Sequence, residues 1–267
     1  MNAGRIIERK RLQCVFVIHA LIMTESVRLA KRLAEILACS RREAELYIEG
    51  GWVSVDDAVV ETPGSRVAPG QRIVLAADAN LELAGPVTVL WHQPADVETA
   101  TEEGNHAEAA RRAIVATSQS AEDVSGMVLL QRHLRGSRML LPLVDGGSGL
   151  AVFSQDERIV RKLLEDANKI EQEYVVEVGG EPVRNGLALL NHGLSWNGKP
   201  LPPGKVSWQN ETRLRFALKG VQPGQIRGMC AQVGLTVTAM RRIRIGRVSM
   251  GRLLPDTWRY LLPDERF

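Results

Sequence analysis

The sequence has few aromatic residues and few cysteines. Phenylalanine, tryptophan and tyrosine make up 4% of its 267 residues, whereas hydrophobic residues make up 45%, so we expect a sizeable, mainly aliphatic core. Scarce aromatic rings argue against broad binding of single-stranded nucleic acid by base stacking. The cysteines, Cys14, Cys39 and Cys230, are odd in number and far apart, which indicates neither a disulfide framework nor a metal site. The histidines are equally scattered, and we expect no metal ion.

The sequence also lacks a membrane-spanning hydrophobic run. The apolar stretch CVFVIHALIM at residues 14–23 is too short to cross a bilayer, and no small-residue cleavage site follows it. We expect residues 1–22 to be an unstructured extension, for which an upstream start assignment is one explanation, and we disfavour a secretion signal. The expected protein is cytoplasmic and does not bind membranes.

Acidic residues are scarce in one part of the chain. Residues 196–259 contain twelve basic and two acidic side chains, whereas residues 77–195 contain ten basic and eighteen acidic ones, although the net charge is only +3. A surface that only faces water does not need such a separation of charge. The basic block therefore indicates a region that faces a polyanion such as nucleic acid.

A small module is predicted at residues 23–76. Apolar residues at helical spacing predict a first helix, and Ser40 with Glu43 forms the pattern of a capping box that begins a second helix. That helix should end at Gly50-Gly51, and the segments WVSVDDAVV and RIVL should be short strands. Residues 77–86 are predicted to be a linker.

Basic side chains gather at the start of the second predicted helix. They are either solvated or part of a phosphate site, in which helix N–H groups and guanidinium groups bind the same anion. Cations in the first turn oppose the helix dipole and cost a little stability. We favour the phosphate site because the preceding helical segment adds three more basic residues. The candidate RNA-binding residues of this module are Arg28, Lys31, Arg32, Arg41 and Arg42.

Residues 87–265 are predicted to form a second, larger domain. Its strands and helices alternate with hairpins, which indicates an α+β core, and residues 95–125 are an acidic insertion to which no chemistry is assigned. A helix is predicted from Gln225 to Val233. In the strand that follows it, Arg242 and Arg244 should share one face.

One carboxylate in this domain is placed unusually. Asp145 lies in LLPLVDGGSGLAVF, residues 140–153, between an apolar run and a glycine-rich turn. Glycine lets a ligand approach the backbone closely. Asp145 is therefore either a catalytic carboxylate presented on a tight turn or only a turn former.

Four segments of the second domain carry a family resemblance. LVDGGSGLAVFSQD, IEQEYVVEV, GQIRGMC and MRRIRIGRVSMGRLLPDTWRYL resemble RsuA/RluF-type RNA pseudouridine synthases in order and spacing, and residues 26–57 resemble the small αL RNA-binding module that precedes many rRNA-modifying domains. The resemblance implies an α+β fold with a mixed, mostly antiparallel sheet. It also implies isomerisation of a uridine in folded RNA without cofactor, metal or ATP.

The resemblance assigns roles to particular residues. The essential aspartate falls on Asp145 if the turn is one residue shorter than in the family, and on Val144 without a gap. Tyr174 matches the tyrosine that packs against the flipped base. Gln225 and Arg227 match the family's RQIR helix. Gln225 is therefore a candidate RNA-binding residue, and Arg227 is the candidate partner of the aspartate or of a phosphate. Within the basic block, Arg241, Arg242 and Arg244 are expected to contact RNA phosphates.

The sequence departs from the family pattern close to these positions. The arginine before the aspartate is Pro142 or Leu143, two lysines are replaced by Gln93 and Gln172, a glycine is replaced by Asp96, and two helix arginines are replaced by Gly224 and Gly228. An active synthase is the first hypothesis. The second is a catalytically lapsed member that acts as an RNA-binding or ribosome-assembly protein. The expected partner is large-subunit rRNA, with tRNA as the alternative, and the expected state is a monomer.

Overall fold

A computed structural model describes residues 25–81, 85–95, 103–143 and 146–267 of the chain. The predicted extension at residues 1–22 lies outside these ranges, as do Val144 and Asp145.

The described residues form two compact units. The first comprises those up to Gly85 together with Leu130–Arg135, and the second comprises those within Pro86–Leu129 and Gly136–Phe267. Each unit has its own apolar core.

Most of the elements are strands. In chain order the structure contains β1 (Val27–Arg28), α1 (Leu29–Leu37), α2 (Arg41–Glu49), β2 (Val53–Val55), β3 (Ala58–Val59), β4 (Arg66–Val67), β5 (Ile73–Leu75), β6 (Thr88–Gln93), α3 (Glu103–Ala113), α4 (Gln131–Leu134), β7 (Arg138–Leu140), β8 (Ser148–Ser154), α5 (Glu157–Glu165), β9 (Glu171–Gly179), α6 (Gly186–Asn191), β10 (Ser195–Trp196), β11 (Lys199–Pro200), β12 (Lys205–Asn210), β13 (Arg213–Lys219), α7 (Gln225–Gln232), β14 (Thr236–Ile245), β15 (Val248–Ser249) and β16 (Trp258–Tyr260). None of the helices in the described ranges is long and apolar enough to cross a membrane.

The first unit packs two helices against short strands. Leu29 and Leu33 of α1 are fully buried against Ala44 and Ile48 of α2 because apolar residues three and four positions apart share one helix face. The strands form the antiparallel sheet β3-β2-β5 and the separate pair β1-β4. The helix–helix–strand order is the one that the sequence predicts for this region.

Reciprocal hydrogen bonds cap α2. The Ser40 hydroxyl accepts from the Glu43 backbone N–H at 3.2 Å, and the Glu43 carboxylate accepts from the Ser40 N–H at 2.8 Å. Two N–H groups that the first helical turn cannot bond are thereby satisfied. The predicted capping box is present. The hydrogen bond from the Ser40 backbone N–H lowers the pKa of Glu43 below its ordinary value.

The second unit is built on one large mixed sheet. The strand order is β12-β13-β9-β14-β8-β6-β16, with β15 paired to β14 and β7 paired to β8. Within the described residues β14 and β8 run parallel, whereas the other pairs of this sheet are antiparallel. The predicted α+β class with a mostly antiparallel sheet is confirmed.

Buried and more exposed side chains alternate along β9, and the buried ones lie on the inner face of this sheet. Tyr174, Val176 and Val178 point into an apolar cluster that also contains residues of β13, α7 and β14, while the intervening residues are more exposed. Successive side chains of a strand point to opposite faces, so QEYVVEV gives one buried row. The helix predicted at Gln225–Val233 ends one residue earlier, at Gln232, and Gly234 follows at φ +83°.

The described part of the acidic insertion covers the edge strand β16. Ser120 N–H donates to the Trp258 carbonyl at 2.7 Å, the Trp258 indole N–H donates to the Val115 carbonyl at 2.7 Å, and the Asp123 carboxylate accepts from Tyr260 N–H at 3.2 Å. An uncovered edge strand would offer these backbone groups to another chain. The insertion therefore has a structural role that its composition did not indicate.

We predict that Ser40→Ala weakens α2 by about 1 kcal/mol because the N–H of Glu43 loses its side-chain acceptor. Amide hydrogen exchange of α2 measures this as faster opening of the helix. Ser40→Asp keeps an acceptor and is the matched control. Equal exchange in wild type and Ser40→Ala would show that the cap contributes nothing.

Candidate active site

A cavity of about 190 Å³ lies in the second unit, where four segments of the chain meet. Its wall is formed by the residues after β7, the inner face of β9, the start of α7 and the middle of β14. The lining residues are Leu141, Pro142, Leu143, Gln172, Tyr174, Val221, Gln222, Pro223, Gly224, Ile226, Arg227, Met240 and Arg242. They include two arginines and no acidic residue, so the described wall is electropositive.

Two of the three predicted catalytic residues line this cavity. Tyr174 is buried and its hydroxyl donates to Gln172 Oε1 at 2.9 Å, which fixes the ring. One guanidinium nitrogen of Arg227 donates to the Val237 carbonyl at 3.0 Å. The third, Asp145, lies outside the described residues, two positions beyond the lining residue Leu143 in the sequence.

The prediction that Arg242 contacts RNA phosphates on the surface is wrong. Its side chain is 2% exposed, and its guanidinium donates to the Leu150 carbonyl at 2.9 and 2.7 Å, to the Leu141 carbonyl at 2.6 Å and to Gln172 Oε1 at 3.1 Å. Arg242 is therefore an internal part of the cavity wall.

A bulge in β14 separates Arg242 from Arg244. The register between β14 and β9 shifts between Arg242 and Arg244, so that Arg242 lies opposite Tyr174 and Arg244 lies opposite Glu173. An inserted residue moves the side chains that follow it to the other face of a strand. The two arginines therefore do not share a face, contrary to the prediction from simple alternation.

Arg244 is also not available as a free cation for RNA. It pairs with Glu171 at 2.5 Å and with Glu173 at 2.7 Å, and Arg215 approaches Glu173 from the neighbouring strand. The hydrogen bond from Arg244 is the main cause that lowers the pKa of Glu173 to about 2. The same pairing raises the pKa of Arg244. Arg244 is therefore part of an ion-pair cluster with Glu171 and Glu173, and its assignment as an RNA contact is corrected.

The other predicted RNA-binding residues have varied surroundings. Gln225 is buried, and its side-chain oxygen accepts from the Gln222 N–H at 3.0 Å, so it closes the turn before α7. Arg241 is exposed. In the first unit Arg28, Lys31 and Arg42 are exposed, whereas Arg32 pairs with Glu35 at 3.5 Å and Arg41 pairs with Glu45 at 3.1 Å.

Gln172 is a site residue whose role the sequence reading missed. The family comparison identifies it only as the replacement of a lysine, yet its buried amide oxygen accepts hydrogen bonds from both Tyr174 and Arg242. The period-two alternation of β9 contained the signal, because it places Gln172 on the same face as Tyr174.

The two glycines at the positions of the family's helix arginines also have a structural reason. A β-carbon on Gly228 would lie 1.9 Å from the Trp196 ring, and one on Gly224 would lie 3.2 Å from it. The indole therefore occupies the space that larger side chains at these positions would need. Gly224, Gly228 and Trp196 form one packing unit at the edge of the cavity.

A third glycine is required by the backbone beside the cavity. Gly149 has a φ of +106°, and a β-carbon there would lie 2.2 Å from the backbone oxygen of Arg242. The close approach of β8 to β14 depends on glycine at this position. At least this one glycine of the glycine-rich stretch after Asp145 is thus required by backbone packing, independently of any ligand.

The chain has measurable similarity to known proteins. Residues 27–73 match the model of the S4 domain. The chain is 28% identical over 246 residues to a protein of Escherichia coli strain K12 named dual-specificity RNA pseudouridine synthase RluF, with 90% of this chain and 77% of that one covered. It is 25% identical over 244 residues to a Vibrio cholerae protein named ribosomal small subunit pseudouridine synthase A, with coverages of 90% and 97%.

A solved structure shares the fold. The crystal structure of a pseudouridylate synthase aligns with a TM-score of 0.52 at 16% identity, covering 89% of this chain and 96% of the other. At this identity the likeness shows the fold alone.

We predict that Arg244→Gln makes the stability of the second unit less sensitive to acid. A carboxylate whose pKa is lowered on folding adds stability above its unfolded pKa of about 4.3, and this stability is lost as the pH falls towards about 2. Without Arg244 the pKa of Glu173 rises, so the decline in unfolding free energy from about pH 4.3 to about pH 2 becomes shallower. Urea unfolding at a series of pH values measures the slope.

Arg213→Gln is the control for this experiment, because it removes the Arg213–Glu177 pair, whose two side chains are 49% and 43% exposed. Its slope should stay close to that of wild type. Identical slopes in wild type and Arg244→Gln would contradict the role given to Arg244.

Proposed function

Because the chain belongs to the RsuA/RluF-type family of pseudouridine synthases, we propose that it isomerises a uridine in structured RNA to pseudouridine with Asp145 as the nucleophile. The observation that carries the proposal is the cavity that Tyr174 and Arg227 line together, next to the segment that leads to Asp145. A base must leave its stack to reach such a cavity.

The reaction needs only rearrangement of bonds that the substrate already has. The carboxylate of Asp145 attacks the ribose or the base, the bond between uracil N1 and ribose C1′ breaks, and the base rotates. A bond then forms between C5 and C1′, and the bond to Asp145 breaks, which restores the carboxylate. The proton leaves C5, and N1 gains one. No electrons are gained or lost overall, so we propose that the protein uses no cofactor.

We assign Tyr174 to the base. Its hydroxyl is tied to Gln172 at 2.9 Å, so the ring is held in one orientation at the cavity wall. A fixed aromatic face stacks on a flipped uracil without losing side-chain freedom at the moment of binding. Stacking on Tyr174 thereby keeps the detached base inside the cavity while it rotates.

We assign Arg227 to the nucleophile. Its guanidinium lines the cavity and is held in part by the Val237 carbonyl. A cation beside a carboxylate favours the ionised form, which is the nucleophilic one. Arg227 then compensates for the arginine that the family carries before the aspartate and that is Pro142 or Leu143 here.

We propose that exposed cations on each of the two units contact RNA. In the first unit these are Arg28, Lys31, Arg41 and Arg42, with Arg32 beside them, and in the second unit Arg241 remains exposed. Phosphate contacts from such residues position an RNA without reading its sequence. We propose a cytoplasmic monomer that acts on large-subunit rRNA, with tRNA as the alternative substrate.

A second candidate function is RNA binding without catalysis, for example in ribosome assembly. The observation that favours it is the loss of cations near the cavity, since Gln93 and Gln172 replace family lysines. Gln93 is 1% exposed and its side-chain oxygen has no hydrogen-bond partner within the described residues.

The deciding experiment is tritium release from RNA labelled at uracil C5, using rRNA and tRNA from cells that lack the protein. We expect release by wild type and none by Asp145→Asn, because an amide cannot act as the nucleophile. Asp166→Asn, which changes an exposed carboxylate at the end of α5, should match wild type. No release by wild type, with RNA binding intact, would favour the binding protein. Equal release by wild type and Asp145→Asn would refute Asp145 as the nucleophile.

We predict that RNA binding weakens steeply with salt because phosphate contacts release counterions. The double substitution Lys31→Gln and Arg42→Gln, at two exposed residues, should reduce the slope of log affinity against log salt by roughly 1 to 2. Arg213→Gln is the matched control, since Arg213 is already paired with Glu177 at 2.6 Å. An affinity that does not change with salt would contradict the cationic surface.

A further inference from the structure

We infer that Arg242 is a positioning residue that clasps both ends of the segment carrying Asp145 and couples that segment to Tyr174 through Gln172. The inference rests on the proposed function, in which Asp145 and Tyr174 act on the same uracil. It assigns to Arg242 and Gln172 a task in the geometry of the site, without contact to the reacting atoms.

The contacts of one guanidinium carry the inference. Nη2 of Arg242 donates to the Leu141 carbonyl at 2.6 Å and to the Leu150 carbonyl at 2.7 Å, and Nε donates again to Leu150 at 2.9 Å. Leu141 and Leu150 lie on either side of Asp145 in the sequence. A single rigid side chain thus fixes the entry and the exit of this segment.

The entry of the segment is held in an unfavourable conformation. Leu141 has a φ of +48°, in the left-handed region that residues with a β-carbon rarely adopt, and Pro142 follows it. Residues before proline normally prefer extended conformations. The surrounding structure must hold such a residue in place, and the bond from Arg242 to its carbonyl is a contact that does so.

Gln172 links the clasp to the tyrosine. Its single side-chain oxygen accepts from Arg242 at 3.1 Å and from the Tyr174 hydroxyl at 2.9 Å. A lysine at this position would supply a second cation and no acceptor. The change from the family's lysine to Gln172 is therefore required by this arrangement, and it does not by itself indicate lost catalysis.

The buried charge of Arg242 indicates a role beyond packing. The side chain is 2% exposed, and within the described ranges its hydrogen-bond acceptors are two carbonyls and an amide, all neutral. Burying a cation is costly unless its N–H groups are hydrogen-bonded. The planar fork repays this cost by bonding three groups at once, which an ammonium on a flexible stem cannot do in the same geometry.

The test compares Arg242→Lys, Gln172→Leu and Gln172→Glu with wild type. At saturating RNA, the single-turnover rate of pseudouridine formation should fall about 100-fold in Arg242→Lys and in Gln172→Leu, because a misplaced nucleophile or base loses rate and keeps binding. The RNA dissociation constant should change by less than about 3-fold. Gln172→Glu keeps an acceptor oxygen and should recover most of the rate.

A structural control separates positioning from a general loss of stability. Val206→Ala removes a buried side chain on β12 that does not line the cavity, and it should lower the melting temperature without lowering the saturated rate. A saturated rate in folded Arg242→Lys equal to that of wild type would overturn the inference. So would a rate in Val206→Ala reduced as much as in Arg242→Lys at a similar melting temperature.

Amide hydrogen exchange provides a readout that does not depend on activity. In Arg242→Lys and Gln172→Leu, peptides spanning residues 141–149 should exchange faster than in wild type, while peptides of α5 stay unchanged. If wild type releases no tritium, the proposed function fails. Hydrogen exchange alone then tests whether Arg242 and Gln172 hold the segment of residues 141–149. Unchanged exchange at residues 141–149 in both variants would overturn it.

Discussion

The buried guanidinium of Arg242 determines the geometry of the cavity. It bonds the carbonyls of Leu141 and Leu150 and the amide oxygen of Gln172, so the segment after β7, the start of β8 and the inner face of β9 are held at one point. A buried charge tolerates few alternatives, because each lost acceptor would leave part of it unsolvated. Tyr174 is drawn into the same network through Gln172.

This arrangement requires irregularities elsewhere in the sheet. The register of β14 ahead of its bulge places Arg242 opposite Tyr174, and Gly149 allows β8 to approach the backbone of Arg242 closely. The bulge also turns Arg244 to the opposite face, where Glu171 and Glu173 neutralise it. Bulges redirect side chains beside functional sites, and this one separates a cavity residue from an ion-pair residue.

The basic block of the sequence is consequently not one cationic surface. Arg213, Arg215 and Arg244 pair with glutamates of β9 across the outer face of the sheet, and Arg242 is internal. Acidic and basic residues that lie in separate stretches of sequence become neighbours when the strands pair. Other cations of the block stay exposed, namely Lys199, Lys205, Lys219, Arg241 and Arg247.

The sequence by itself determined the features that depend on local pattern or on resemblance. Among these are the capping box of Ser40 and Glu43, the α+β class, the buried row of β9 and the helix that begins at Gln225. Only the tertiary structure decided which arginines are buried, which are paired and which are free. It also revealed that Gln172 is an acceptor and that Trp196 occupies the space beside Gly224 and Gly228. The physical reason is that helix caps and strand alternation arise from neighbours in sequence, whereas burial, bulges and ion pairs depend on partners brought together by folding.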